Sequence, residues 1–467
     1  MGNPETFESE TELKTDQPTT MSIFDKIEVI TILLNQESLE DNELEQLNQL
    51  LTEITEETLE MEGKLVSFFQ DEVFNRLKQI IPDHPFFNYI EGNEEFIDSI
   101  DLLIGGQESY ERILANIKDA QKSIHITMFV WRDDIIGNKI AKELLDAASR
   151  GVKVTIQKDA LASIFEYTEQ NRQTLFHKDF DKTLSAKRGA VDKMYAEDKA
   201  YGVYKQNPNP LIEGLLNHEN ISIDSEIRED HSKYFIFDNE TLITGGVNIG
   251  DEYASGEFHD YMVEMKSPIL VDKFCQRLSV TDDFDIGSSI EFTMNVKKGQ
   301  ESSFEIKNKF LELLGGAKDR IIIEMAYFGD EEITQEIIKA AKKGVKVDLI
   351  LPGNANVQDS WNKLVIQELL DATEGTGNLS VYFYPKMVHA KVVNIDGEKT
   401  FMGSANMNPG AMEKLGETNI LVNDPNCDFT QEMLDSLKND IKASKKVTSP
   451  PPITYDRMKA FMESKFS

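Results

Sequence analysis

The sequence predicts an α/β protein of two similar halves. Each half is a mixed, largely parallel sheet with helices on its faces, the two related by a pseudo-twofold and preceded by an acidic helical region. Three observations carry this. From about Phe96, strand-like and helix-like segments alternate, the order expected of a largely parallel sheet. The order then returns with the same junction wording, Arg150-Gly-Val-Lys-Val154 against Lys343-Gly-Val-Lys-Val347, as an approximate duplication would give. Between Ser38 and Ile81, by contrast, apolar residues recur at helical spacing among acids.

Residues 1–22 are polar and acidic and read as a flexible tail. The start Met1-Gly2-Asn3-Pro4-Glu5-Thr6 fits the short myristoylation template, but no basic cluster follows to supply a second anchoring signal. Residues 23–95 form the helical region. Leu44, Leu47, Leu50, Leu51, Ile54, Leu59 and Leu65 make its apolar stripe, and Pro82 ends it. A small helical cap on the neighbouring α/β region is its expected role.

The first half runs over 96–290. Tyr110–Ala120 is helical, Ser123–Val130 a strand, Gly137–Ser149 a helix and Val152–Ile156 a strand. An insertion between Leu161 and Leu216, rich in Lys, Asp, Gln and Asn, shapes one rim; its His177 reads as a surface histidine. The second half runs over 291–446. Phe304–Ala317 is helical, Arg320–Met325 a strand, Glu331–Lys342 a helix and Val345–Leu351 a strand. The seam falls around 282–302. Beyond a Pro450-Pro-Pro452 linker, 447–467 ends in a docked helix, with a weak lipid-surface foot as the alternative.

Composition narrows the function. With 49 basic and 83 acidic residues the net charge is −34. More than half of that excess sits in residues 1–100, which hold 24 acids and 5 bases. Tight nucleic-acid binding relies on Lys and Arg displacing counterions, so it is disfavoured. Cys275 and Cys427 are far apart, which excludes a disulfide framework and a thiolate metal cluster and suits a reducing, cytoplasmic setting. No apolar run approaches the ~18 residues of a spanning helix, and no signal peptide is visible.

One motif occurs twice. His231-Ser-Lys233-Tyr-Phe-Ile-Phe-Asp238 is followed by Thr244-Gly-Gly-Val-Asn248. His389-Ala-Lys391-Val-Val-Asn-Ile-Asp396 is followed by Gly403-Ser-Ala-Asn406. One such pattern is weak evidence, but two at matching internal spacing are strong. On a strand, His and Lys at i and i+2 share a face. The small residues Gly245, Gly246, Gly403 and Ser404 let backbone approach a ligand. Two such strands facing one another present two His, two Lys and two Asn, a donor-rich cradle for one phosphate.

These residues resemble the phospholipase D superfamily, with both HKD motifs in one chain, over roughly Phe96–Asn439. The bacterial cardiolipin synthase branch is the most similar, through Thr244-Gly-Gly-Val-Asn-Ile-Gly-Asp-Glu-Tyr253, Ser123-Ile-His-Ile and Gly403-Ser-Ala-Asn-Met-Asn408. An acidic region stands where that branch carries N-terminal membrane helices. The resemblance implies phosphodiester chemistry on phospholipids, by hydrolysis or phosphatidyl transfer, through a covalent phosphohistidine; a nuclease of the same superfamily is the alternative. It implies His231 as nucleophile and a protonated His389 as general acid, with Lys233, Lys391, Asn248 and Asn406 on the phosphoryl oxygens, and neither metal nor cofactor. The expected partners are a phospholipid and, peripherally, a membrane. Asp260 and Glu417, at the start of predicted strands, are the expected orienting acids, while Asp238 and Asp396 fix the strand–turn geometry. His125 reads as a structural histidine and Phe129 as core, with Trp131 and Phe328 as candidates to line the substrate entry.

Overall fold

The computed structural model describes residues 26, 29–30, 32–33, 41–60, 80, 99–166, 175–176, 182–195, 209–279, 289–297, 302–447 and 453–466. The tail, the myristoylation template, Leu65, His177 and most of the seam lie outside these residues. The chain divides into two units, Met1–Phe96 and Ile97–Ser467.

In the first unit, Asp41–Glu60 is a helix. Leu47, Leu50, Leu51 and Ile54 are buried while Glu45 and Gln46 are exposed, so the 3.6-residue stripe becomes a buried face. Lys26 Nζ pairs with Glu53 at 3.1 Å.

The second unit holds two large sheets. The first consists of β1 (Ser99–Ile104), β2 (Ser123–Met128), β3 (Lys153–Lys158), β4 (Ile221–Asp224), β5 (Tyr234–Phe237), β6 (Thr241–Gly245) and β8 (Tyr261–Lys266); β7 (Phe258–His259) stands apart from it. Its order is β1-β8-β6-β5-β2-β3-β4. The second consists of β9 (Ile290–Val296), β10 (Ser303–Phe304), β11 (Arg320–Met325), β12 (Lys346–Pro352), β13 (Leu379–Tyr384), β15 (Lys391–Ile395), β16 (Lys399–Gly403), β17 (Glu417–Asn423) and β18 (Lys445–Lys446), while β14 (Met387–Val388) pairs with β7. Its order is β10-β9-β17-β16-β15-β11-β12-β13-β18. The run β8-β6-β5-β2-β3-β4 corresponds strand for strand to β17-β16-β15-β11-β12-β13, the duplication read from the junction wording.

The sheets are not largely parallel. Within them, parallel pairing is confined to β2-β3-β4 and β11-β12-β13. The reason lies in the motifs. Each motif strand turns straight back through a hairpin, β5–β6 and β15–β16, and a tight hairpin can join only antiparallel strands.

The repeated Arg-Gly-Val and Lys-Gly-Val junctions are helix ends. Gly151 and Gly344 follow the helices Ile135–Ser149 and Glu331–Lys342 with φ of +100° and +103°, left-handed stops that glycine adopts without a Cβ penalty. The same helices begin at Asp134 and Asp330, whose carboxylates accept from the first-turn N–H groups of Gly137, and of Glu332 and Ile333. Their buried residues, among them Ile140 and Leu144, and Ile333 and Ile337, pack into the two cores.

The insertion contributes helices Ser163–Glu166, Lys182–Tyr195 and Pro210–Asn217. The terminal helix Arg457–Phe466 docks on the second core: Ala460 is buried, and Glu463 accepts from the N–H of Trp361 at 2.9 Å. Among the described residues no helix is long and apolar enough to cross a membrane.

Candidate active site

Each motif histidine precedes its strand in an extended segment that pairs with the other half. His231 N–H donates to Gly416 O at 2.7 Å, and His389 N–H donates to His259 O at 2.7 Å. Beside the first contact, Gly416 N–H donates to Glu229 O at 2.8 Å; beside the second, β14 pairs with β7. The two motifs are therefore held together by backbone bonds between halves.

The side chains cross over in the same way. His231 Nδ1 lies 3.0 and 3.1 Å from the carboxylate oxygens of Glu417, which belongs to the second sheet. His389 Nδ1 lies 2.7 Å from Asp260, beside the first sheet. Glu417 also accepts from Ser404 Oγ at 2.5 Å, and Asp260 from Tyr261 N–H at 2.8 Å. With Nδ1 engaged, Nε2 is the reactive position of each ring; at His389 it lies 3.3 Å from Lys391 Nζ.

Lys233 and Lys391 are buried at 0 and 1% exposure. Lys233 Nζ donates to His231 O at 2.5 Å. Lys391 Nζ donates to His389 O and sits 2.7 Å from the Nδ1 of that ring. Burial pushes both ammonium groups down, Lys233 to about 7 and Lys391 to about 8. Burial likewise pushes Glu417 up to about 8, against the pull of Lys233. Burial and the two lysines hold His231 well below the usual imidazole range; burial and Lys391 push His389 down to about 3. Burial and the lysines thus favour the neutral ring at both histidines.

The asparagines differ. Asn248 accepts from Val130 N–H at 3.1 Å through Oδ1 and donates from Nδ2 to Tyr253 Oη at 2.9 Å. Asn406, 4% exposed, has no hydrogen-bond partner at Oδ1 among the described residues.

Gly246 and Ser404 lie against Asp260 and Glu417. A Cβ on Gly246 would stand 2.3 Å from Asp260 Oδ1, and Ser404 spends its hydroxyl on Glu417. Asp238 and Asp396 lie at the far ends of the motif strands. Each accepts from three successive backbone N–H groups, those of Gln121, Lys122 and Ser123, and of Lys318, Asp319 and Arg320, at 2.7–2.9 Å. Partial burial pushes these carboxyls up, but the three N–H groups outweigh it and hold both below the usual range.

The aromatic expectations need correcting. Trp131 and Phe328 are fully buried and line no entry; bridges to Ile249 and Met407 turn them into the cores. Phe129 instead meets His231 edge-on at 4.7 Å, with Lys233 Nζ 5.6 Å from its ring centre. Tyr253 and Tyr327 meet His389 at 5.5 and 6.2 Å. His125 faces away from these rings. With Ser232 and Tyr234, the alternate residues of the motif segment, it lines a separate cavity of about 460 Å³.

Comparison with known proteins agrees with this geometry. A family profile described as "Cardiolipin synthase, PLD-like domain" matches residues 113–280 and 310–441. The chain is 26% identical to the major cardiolipin synthase of Bacillus subtilis, over 75% of this chain and 70% of that one. It is 25% identical to cardiolipin synthase B of Escherichia coli O6:H1, over 76% of this chain and 81% of that one. In fold it is similar to the phosphatidylserine synthase of Haemophilus influenzae, with a TM-score of 0.56 at 14% identity, covering 79% of this chain and 92% of that one.

Proposed function

The chain belongs to the cardiolipin synthase, phospholipase D-like family, and on that premise we propose that it transfers a phosphatidyl group from one phospholipid to an alcohol through a phosphohistidine on His231. It is a phospholipase D-type enzyme acting on phospholipids. The observation that carries the mechanism is the crossed pair of carboxylates, which engage Nδ1 of each ring and leave Nε2 to react beside two buried lysines, with Lys391 Nζ 3.3 Å from the Nε2 of His389.

His231 Nε2 attacks phosphorus as a neutral imidazole, and the alkoxide leaves with a proton from His389 Nε2. Bond formation at nitrogen makes the His231 ring cationic, and Glu417 stabilises that charge. His389 must first gain its proton. Burial holds His389 down first and Lys391 second; a phosphodiester anion between Lys233 and Lys391 offsets the lysine contribution, and Asp260 at 2.7 Å stabilises the imidazolium. In the second step His389 takes the proton of the incoming alcohol, whose oxygen attacks phosphorus and releases His231. The lysines and Asn406 stabilise the equatorial oxygens; Asn248, held by Tyr253 and Val130, orients the backbone beside them. Asp238 and Asp396 hold the motif hairpins in shape.

The acceptor is the hydroxyl of a second phospholipid, as the names of the relatives suggest. Peripheral contact with the bilayer through the terminal helix is supported by Met458 and Phe461, 68 and 60% exposed beside Lys459 and Lys465. The test is incubation with phosphatidylglycerol vesicles followed by mass spectrometry. A tetra-acyl diphosphatidyl product with free glycerol supports transfer; phosphatidic acid alone, with added alcohol never incorporated, makes the enzyme a hydrolase.

A further inference from the structure

His259 precedes the orienting Asp260 by one residue and plays no part in the phosphoryl chemistry. Its Nε2 lies 3.0 Å from Asp440 Oδ2, 3.8 Å from Glu324 Oε1 and 3.0 Å from Tyr261 Oη. Tyr261 Oη also lies 2.7 Å from Asp440 Oδ2, 3.1 Å from Glu324 Oε2 and 3.0 Å from Ser436 Oγ. Glu324 and Tyr261 are fully buried, and the side chains of Asp440 and His259 are 10 and 14% exposed.

Tyr261 Oη and His259 Nε2 are the groups that face the two buried carboxylates. Glu324 Oε1, the oxygen aimed at His259, has no hydrogen-bond partner among the described residues, which is costly for a buried charged group. A cation supplies what the donors lack. Ligand atoms from His259, Glu324 and Asp440 lie within 4.8 Å of one another. Metal bonds of about 2.0–2.2 Å would bring such atoms to roughly 3.0–3.4 Å apart, a small adjustment of the pairs observed. One imidazole nitrogen with two carboxylate oxygens suits Zn²⁺ or Mn²⁺.

We propose that His259, Glu324 and Asp440 form a divalent-cation site that clamps β7 to β11 and to the helix Asp428–Ala443. Tyr261 orients the Asp440 ligand from outside the coordination shell. The clamp acts on backbone, because His259 is the residue whose carbonyl receives the N–H of His389. The cation fixes the segment carrying His389 without touching substrate.

The experiment uses the full chain, stripped with a chelator and dialysed. Equilibrium dialysis against Zn²⁺ and Mn²⁺ in turn, with elemental analysis, is read beside thermal unfolding. One equivalent bound at micromolar free metal with a raised Tm is expected, at least tenfold weaker in Glu324→Gln and Asp440→Asn and unchanged in His231→Asn. Failure of the folded wild-type chain to bind either metal overturns the site and leaves an imidazolium as the only cation there. So does binding that survives both carboxylate variants, or that is lost in His231→Asn. Circular dichroism checks each variant, and if one fails to fold, the other and the wild-type isotherm decide.

Discussion

Glu417 holds the ring of His231 from the opposite half of the molecule, with both carboxylate oxygens 3.0–3.1 Å from Nδ1. Asp260 does the same for His389 in return. Neither histidine is oriented by an acid of its own sheet.

Removing the nucleophile gives the sharpest test. His231→Asn is expected to lower turnover by at least ~10⁴-fold, as loss of a covalent nucleophile does, and to abolish an acid-labile phosphoenzyme. His389→Asn is expected to cost roughly 10²–10⁴-fold, as loss of a general acid does, and less with a substrate whose leaving group needs no proton. Rapid-quench trapping of labelled enzyme measures both; trapping on His389 in the first variant would reverse the roles.

The crossed acids should separate kinetically. Glu417→Gln and Asp260→Asn each remove an orienting partner, worth about 10–100-fold by analogy with other carboxylate–histidine pairs. The Asp260→Asn defect should shrink with a good leaving group, whereas the Glu417→Gln defect should persist in phosphoenzyme formation. Equal dependence on the leaving group would count against the assignment.

The buried lysines set the pH profile. Their ammonium forms persist only below about 7 for Lys233 and about 8 for Lys391. Phosphate binding needs that charge, so kcat/KM is expected to fall as pH rises through this window. His231 lies well below the usual imidazole range, so its protonation causes no matching fall near pH 6.5. Lys233→Arg, charged throughout, should move the alkaline limb upward toward the pKa of about 8 at Lys391 even where it lowers kcat.

The motif carboxylates should behave differently from the rest. Asp238→Ala or Asp396→Ala strips three backbone N–H groups of their acceptor, an expected loss of about 1–3 kcal/mol. Both residues also sit at φ +56°, where alanine is less tolerated than Asp or Asn. Denaturant melts should show the loss while kcat per folded molecule stays near wild type.

Much of this architecture was legible because it is written locally. The His-x-Lys spacing, the Gly-rich turn and the Gly-Val-Lys-Val helix exits each depend on neighbours in the chain, and each appears twice. What escaped depends on distance. That Glu417 turns to His231 across 186 residues has no spacing to betray it. Phe129 and Trp131 look alike as strand-end aromatics, and only the bridge from Trp131 to Ile249 decides which is withdrawn from the rings. βαβ order alone favours parallel pairing, whereas each motif strand turns back on itself through a hairpin. Tyr253 ends the Gly-rich segment after the first motif, yet its hydroxyl on Asn248 emerges only once the loop is folded.

Gly246 shows what this interlacing imposes. A methyl group there would press on Asp260 and be felt by His389, 129 residues beyond that acid. The duplicated segments are therefore not free to diverge independently. A change tolerated in one must be matched by its counterpart, and a chimaera assembled from two distant homologues would pair each imidazole with a stranger's acid.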